Sequence, residues 1–396
     1  MGRFRIGHAT HPDWRMAADL ALAQVLAQSA DPAFAADANL GILYASPAYA
    51  PELDRLVETL RERSGVQDWV GAIGHGVCAA DTEYPDEPAL AMMLASLPDD
   101  GYQLFSGRRR ALDGDERAAD GALRSHTALV HADPSTPQLQ EMVADLAART
   151  ATGYLFGGLV SADTGGYSQV AGETLSGGLS GVILSSAVPL RSRVTQGCAP
   201  LAGEHVISEC SSHFICALDG RPALDVLLSD LDVPERTRTS RDGDEILRSL
   251  PTERLREGLF VGLSPGDADR GVGFGDYLVR NVVGIDPQNR LVAVAATPSE
   301  GDRVVFCTRD QQAARRDLIR ICTELRGEIE DESLQVKGAL YHSCVARGAQ
   351  LFGAPGAELE LIRHNLGDVP LIGFHANGEI ARDRIYGYTG VLTLFV

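Results

Sequence analysis

At 396 residues, 44% of them hydrophobic, the chain is too long for one domain of ordinary size and apolar enough to build two cores. Its formal charge of −19, from 35 basic and 54 acidic residues, argues against a non-specific nucleic-acid binder, because neutralising phosphates needs a basic face. Seven scattered cysteines without a CxxC pair argue against a disulfide framework or a structural zinc site, and favour a reducing compartment. Arg3 and Arg5 lead into no apolar core, and apolar runs stop at about ten residues, short of a signal peptide or a spanning helix. The expectation is a soluble, cytoplasmic protein with neither nucleic acid nor membrane as partner.

In chain order, Phe4 to Ala9 reads as a strand and Ala17 to Ala27 as a helix rich in alanine and leucine. Leu40 to Ala45 follows as a buried strand, then a helix from Pro51 to Arg63 with proline in its first turn. Trp69 to Ile73 is a strand that runs into Gly74-His75-Gly76, and Ala89 to Leu97 a strand with both faces apolar. Residues 99–122, with Arg108-Arg109-Arg110, read as a solvated excursion. Thr127 to His131 is a strand and Gln138 to Arg149 a helix; Tyr154 to Ser161 and Leu179 to Ser185 read as adjacent strands. Gln196 to Pro200 marks a loop, and a helix starts at Pro222.

The charged stretch Ser229 to Arg256, broken by Pro234 and Asp242-Gly243, is the candidate junction, dividing the chain into modules 1–228 and 229–396. Beyond it, strands are expected at Leu259 to Leu263, Val279 to Val283, Leu291 to Ala296 and Val304 to Cys307, and a helix at Gln311 to Leu325. Two strands, Val336 to Ser343 and Val369 to Phe374, flank a helix from Glu358 to Leu366, and Gly390 to Val396 closes the chain. Strand and helix alternate throughout. The fold class is therefore α/β: two modules with mixed sheets and flanking helices, with sheet-against-sheet packing as one arrangement.

Chemistry concentrates in the last sixty residues. The two strands deliver Cys344 and Arg347, then His375, Gly378 and Glu379, to their carboxyl ends, the edge where α/β proteins form ligand crevices. Cys344 is read two ways: as a small buried hydrophobe, or as a thiol that Arg347 would make more reactive. Arg347 and Glu379 likewise form either a plain ion pair or a fork preorganised for an incoming carboxylate. His75 and His375 follow apolar runs and suit a structural hydrogen bond, a general base, or a haem or metal ligand. Ser343 lies in no GxSxG elbow, and Gly271-Val272-Gly273-Phe274-Gly275 lacks the context of a dinucleotide loop.

Taken together, these motifs resemble the FIST-domain family, with its N-terminal and C-terminal modules in tandem. The resemblance rests on Gly71-Ala72-Ile73-Gly74-His75-Gly76, Gly157-Gly158, Gln196-Gly197-Cys198-Ala199-Pro200, Asp276-Tyr277-Leu278-Val279-Arg280 and Gly284-Ile285-Asp286. Its most specific pair is Ser343-Cys344-Val345-Ala346-Arg347-Gly348 with Gly373-Phe374-His375-Ala376-Asn377-Gly378-Glu379-Ile380. It implies a sensory module of bacterial type that binds a small molecule, an amino acid or other small carboxylate, and signals through a separate protein. The expected ligand-binding residues are Cys344, Arg347, Glu379, Gly378, His375, Gly74 and His75, with no metal and no cofactor. The alternatives are a cysteine-dependent enzyme using Cys344 with His342 or His375 as base, and a haem-based gas sensor.

Overall fold

The computed structural model describes residues 2–34, 37–107, 125–161, 165–240, 242–252, 255, 258–266 and 277–396. The tri-arginine run, the glycine-rich 271–275 segment and Asp276 lie outside the described residues. The chain is an α/β protein with mixed sheets and flanking helices. It divides into two compact units, one of residues 1–195 with 315–396 and the other of residues 196–314. This contact boundary follows a different line from the sequence division at 228/229.

Among the described residues, the larger unit contains three six-stranded sheets, and each holds one parallel pair joined through helix. The pairs are Leu40–Ala45 with Asp68–Ile73, Thr127–Ala132 with Leu155–Leu159, and Gly338–Cys344 with Leu371–Ala376. Both strands of each pair are covered on both faces, so they read as continuous apolar runs. The helix Leu53–Ser64 shows how the crossovers pack. Leu53, Leu56, Val57 and Leu60 form its buried stripe, and Gly65 ends it in the left-handed region at φ 77°.

The three pairs are built alike. Their registers set Leu43 against Gly71, Val130 against Gly157 and Tyr341 against Gly373. A Cβ on any of the three glycines would lie within 2.0 Å of the facing carbonyl oxygen, at 1.9, 1.9 and 1.7 Å respectively. Only glycine permits that approach. One residue beyond Leu43, Val130 and Tyr341 stand Tyr44, His131 and His342, which are therefore equivalent positions. They meet in the core, where the Tyr44 hydroxyl lies 3.0 Å from His342 Nε2 and 3.3 Å from His131 Nε2. The Phe374 ring packs against all three.

The smaller unit is a closed antiparallel barrel. Its order is Arg303–Arg309, His205–Ser211, Phe214–Leu218, Leu291–Val294, Leu278–Asp286 and Phe260–Ser264, which pairs back to Arg303–Arg309. The helix Ala223–Asp230 buries Leu224, Val226, Leu227 and Leu228 in one cluster with Ile215, Val292 and Phe306.

Four sequence expectations need correction. Tyr102–Phe105, inside the supposed excursion, is a strand, paired with Leu179–Leu184. The strands Leu155–Leu159 and Leu179–Leu184 are not neighbours, because Thr127–Ala132 runs between them. The supposed loop at 196–200 is strand, Leu190–Gln196 followed by Cys198–Pro200. The helix from Pro51 begins as a 3-10 turn, Pro47–Glu52, and becomes α-helical at Leu53.

Candidate functional site

The parallel strands Gly338–Cys344 and Leu371–Ala376 place Ser343 opposite His375 and Cys344 opposite Ala376. The other edge of Leu371–Ala376 pairs with Val77–Ala79, so the turn before that strand is drawn in. His75 N–H donates to the His375 carbonyl (2.9 Å) and His375 N–H to the Gly76 carbonyl (2.8 Å). At Gly74 a Cβ would meet the Phe374 side chain at 2.6 Å. At Gly378, with φ 137°, the chain leaves one sheet and enters another, where Glu379–Arg382 pairs with Leu155–Leu159. Glycine relieves the strain of that conformation. The structure thus brings Gly74, His75, Cys344, Arg347, His375, Gly378 and Glu379 to one end of one strand pair.

Arg347 does not form its ion pair with Glu379. Its guanidinium is buried, and Nε and Nη2 each stand 2.7 Å from Glu358 Oε1. Glu358, also fully buried, takes two further donors: the Tyr341 hydroxyl at 2.5 Å and the Ser343 hydroxyl at 2.9 Å. Nη1 of Arg347 reaches the Thr195 carbonyl at 3.5 Å, and the guanidinium lies over Phe352, 5.1 Å from the ring centroid. Tyr341 and Ser343 alternate onto one face of their strand, which explains why both reach the same carboxylate. Nη2, out of line for a hydrogen bond to Glu358, has no hydrogen-bond partner.

Glu379 is fully buried. Its Oε2 accepts from the Thr389 N–H (3.2 Å) and hydroxyl (2.7 Å), whereas its Oε1 has no N–H or O–H donor. Burial raises this carboxyl to about 8, so the neutral acid is its resting form at neutral pH. The side chain facing it is the Cys344 thiol. That sulfur accepts backbone N–H groups from Ala346 and Tyr388, yet burial, with Glu379 second, pushes the thiol up to about 12. Cys344 at rest is therefore a protonated thiol. His342, one of the two bases considered for Cys344, is committed to the Tyr44 cluster instead, and burial lowers its basicity. Burial also lowers the basicity of His375 and His75.

Glu358, Tyr341 and Thr389 escaped the sequence reading, which weighed Ser343 only as a nucleophile. The signal was faint: an acidic residue in the first turn of the helix Ala357–Leu366, on the side that also buries Leu359 and Ile362. For a metal or haem, His75 and His375 are the imidazoles at this edge. Among the described residues no group of three or more His, Cys, Asp or Glu side chains is arranged to hold a metal ion. No described helix is long and apolar enough to cross a membrane. All seven cysteines are free thiols.

Comparison with known proteins agrees with the motifs. Residues 39–221 match the FIST N domain and residues 223–382 the FIST C domain. The chain belongs to the FIST-domain family, whose modules are generally small-ligand sensory domains. It is similar along its whole length to Uncharacterized protein Rv0628c of Mycobacterium tuberculosis, 29% identical, with 100% of both chains covered. It is also similar to Uncharacterized protein Mb0898c of Mycobacterium bovis, 28% identical, with 100% of this chain and 99% of the relative covered.

Proposed function

We propose that this protein is a sensor that binds an amino acid, or another small carboxylate, at the carboxyl end of the strands Gly338–Cys344 and Leu371–Ala376. One observation carries the reading. The site holds two buried polar atoms that lack a hydrogen bond, a donor at Arg347 Nη2, which keeps its ion contact with Glu358, and an acceptor at Glu379 Oε1. The two groups are close enough that each shifts the other's titration. A carboxylate and an ammonium on one small molecule complement that pair, and buried polar atoms short of a hydrogen bond favour a ligand that supplies one. Cys344, His375, His75 and the glycine backbones at Gly74 and Gly378 line the same edge. The signal passes to a separate partner protein in the cytoplasm, a setting that suits seven free thiols.

A thermal-shift screen against the twenty proteinogenic amino acids tests this, run beside Glu379→Gln, which keeps the shape and removes the acid. A ligand at a hundred times its dissociation constant stabilises by about 2.7 kcal/mol. The expected result is a hit that Glu379→Gln weakens; a hit indifferent to that change moves the site elsewhere.

The contact between Cys344 and Glu379 also supports a second reading, a cysteine-dependent enzyme in which Glu379, once it has lost its proton, acts as base. It requires a thiol that iodoacetamide labels fast and that substrate protects. The buried thiol at about 12 predicts labelling slower than that of a free cysteine.

A further inference from the structure

We propose that the ligand carries a primary ammonium and that its binding expels the carboxyl proton of Glu379, so capture at this edge exchanges a proton for an ammonium. The inference rests on the sensory reading above and names the chemistry at one end of the ligand.

The argument starts from what surrounds Glu379. Thr389 supplies both donors to Oε2, through N–H and hydroxyl, and carries no charge. On one side the register partner is Gly158, with no side chain; on the other it is Tyr386, a buried phenol. The end of the strand Gly338–Cys344 contributes the Cys344 thiol, a weak donor. The nearby cation is Arg347, whose charge is already met by Glu358 from the helix Ala357–Leu366. Among the described residues, no neighbour supplies a full countercharge and a donor to Oε1 together. An ionised carboxylate in that position would be buried with one oxygen bare, which desolvation opposes. The resting group keeps its proton, consistent with its rise to about 8.

An ammonium changes both terms at once. It brings up to three N–H donors and a positive charge to Oε1, and a charge-assisted hydrogen bond there favours the carboxylate. The balance is simple: the acid and the ammonium become an ion pair, and one proton leaves to solvent. A ligand with a hydroxyl in place of the ammonium can hydrogen-bond to the neutral acid but gives no reason to expel the proton.

Isothermal calorimetry tests this with each of the twenty L-amino acids and, for every one that binds, the α-hydroxy acid of the same side chain. Titrations are run from pH 6 to 9 in phosphate and in Tris. The expected result is about one proton released per ligand well below pH 8, falling toward none by pH 9, and an affinity that rises about tenfold per pH unit up to about 8, then levels. The hydroxy acid should bind more weakly and release none, and Glu379→Gln should make the amino-acid affinity flat with pH. Equal binding of the hydroxy acid, or binding at pH 6 to 7 without proton release, overturns the exchange while leaving a small-carboxylate sensor standing. If neither series binds, the exchange and the sensory reading at this site both fall.

Discussion

Arg347 and Glu358 show how a charged pair can be structural and still shape a site. Both are removed from water, and Glu358 is saturated by Tyr341, Ser343 and Arg347. Glu358→Gln should cost about 3–5 kcal/mol in urea unfolding, because it strands a buried guanidinium. Arg347→Met combined with Glu358→Leu should cost clearly less than that single change. Glu379 makes a different prediction. Its folded value, about 8, lies above its ordinary 4.5, so the native state binds the extra proton. Its contribution is fully present below about 4.5 and is lost as pH rises through 8, about 5 kcal/mol at most. Unfolding free energy measured from pH 5 to 8.5 should therefore fall more steeply for the wild type than for Glu379→Gln; parallel curves would contradict a buried neutral acid. The sequence showed that a thiol, a guanidinium and a carboxylate share this edge. It did not show which carboxylate meets Arg347, because that choice depends on how the helix Ala357–Leu366 docks. Glu379 sits in a matching motif only 32 positions away; Glu358 sits in none.

At the scale of elements, the three parallel pairs repeat one device: a glycine pressed against a carbonyl, and beside it a polar ring aimed into a shared core. Gly373→Ala would place a Cβ 1.7 Å from the Tyr341 carbonyl oxygen and should destabilise by at least ~3 kcal/mol, or leave the protein insoluble. Tyr44→Phe keeps the ring but removes the hydroxyl that joins His131 and His342, which are both fully buried with Nδ1 already unpartnered. Its expected cost is about 1–3 kcal/mol by urea unfolding; an unchanged midpoint would show that the hydroxyl bridge adds nothing. Strands such as Leu40–Ala45 and Ala89–Ala95 were legible because burial on both faces makes them uniformly apolar. His205–Ser211 was not, since only Ile207 of its seven residues is buried. The repeat was illegible for a related reason. Its three copies share one glycine and one polar ring position in otherwise ordinary apolar runs, and Tyr at one place and His at the other two conceal the equivalence.

At the scale of the whole molecule, the chain leaves the larger unit at 195 and returns to it at 315. The strands Val77–Ala79 and Leu155–Leu159 find partners in Leu371–Ala376 and Glu379–Arg382, far along the chain. A fragment of residues 1–228 lacks those partners and should not unfold cooperatively. Residues 196–314 contain every strand of the closed barrel and should give a folded, cooperatively melting fragment. Circular dichroism melts of the two fragments decide this, and the reverse result would refute the division into units. The family and the α/β class were legible because they rest on local motifs and alternation. The interrupted unit was not, because it rests on pairings across more than two hundred residues.

The most direct test of the proposed site is hydrogen–deuterium exchange on the full chain, with and without a saturating amino acid identified by the thermal screen. A ligand held by Arg347 and Glu379 should slow exchange in residues 341–348 and 375–390 and in the turn at 74–76. Protection confined to other segments, with these unchanged, would contradict a ligand site at this edge.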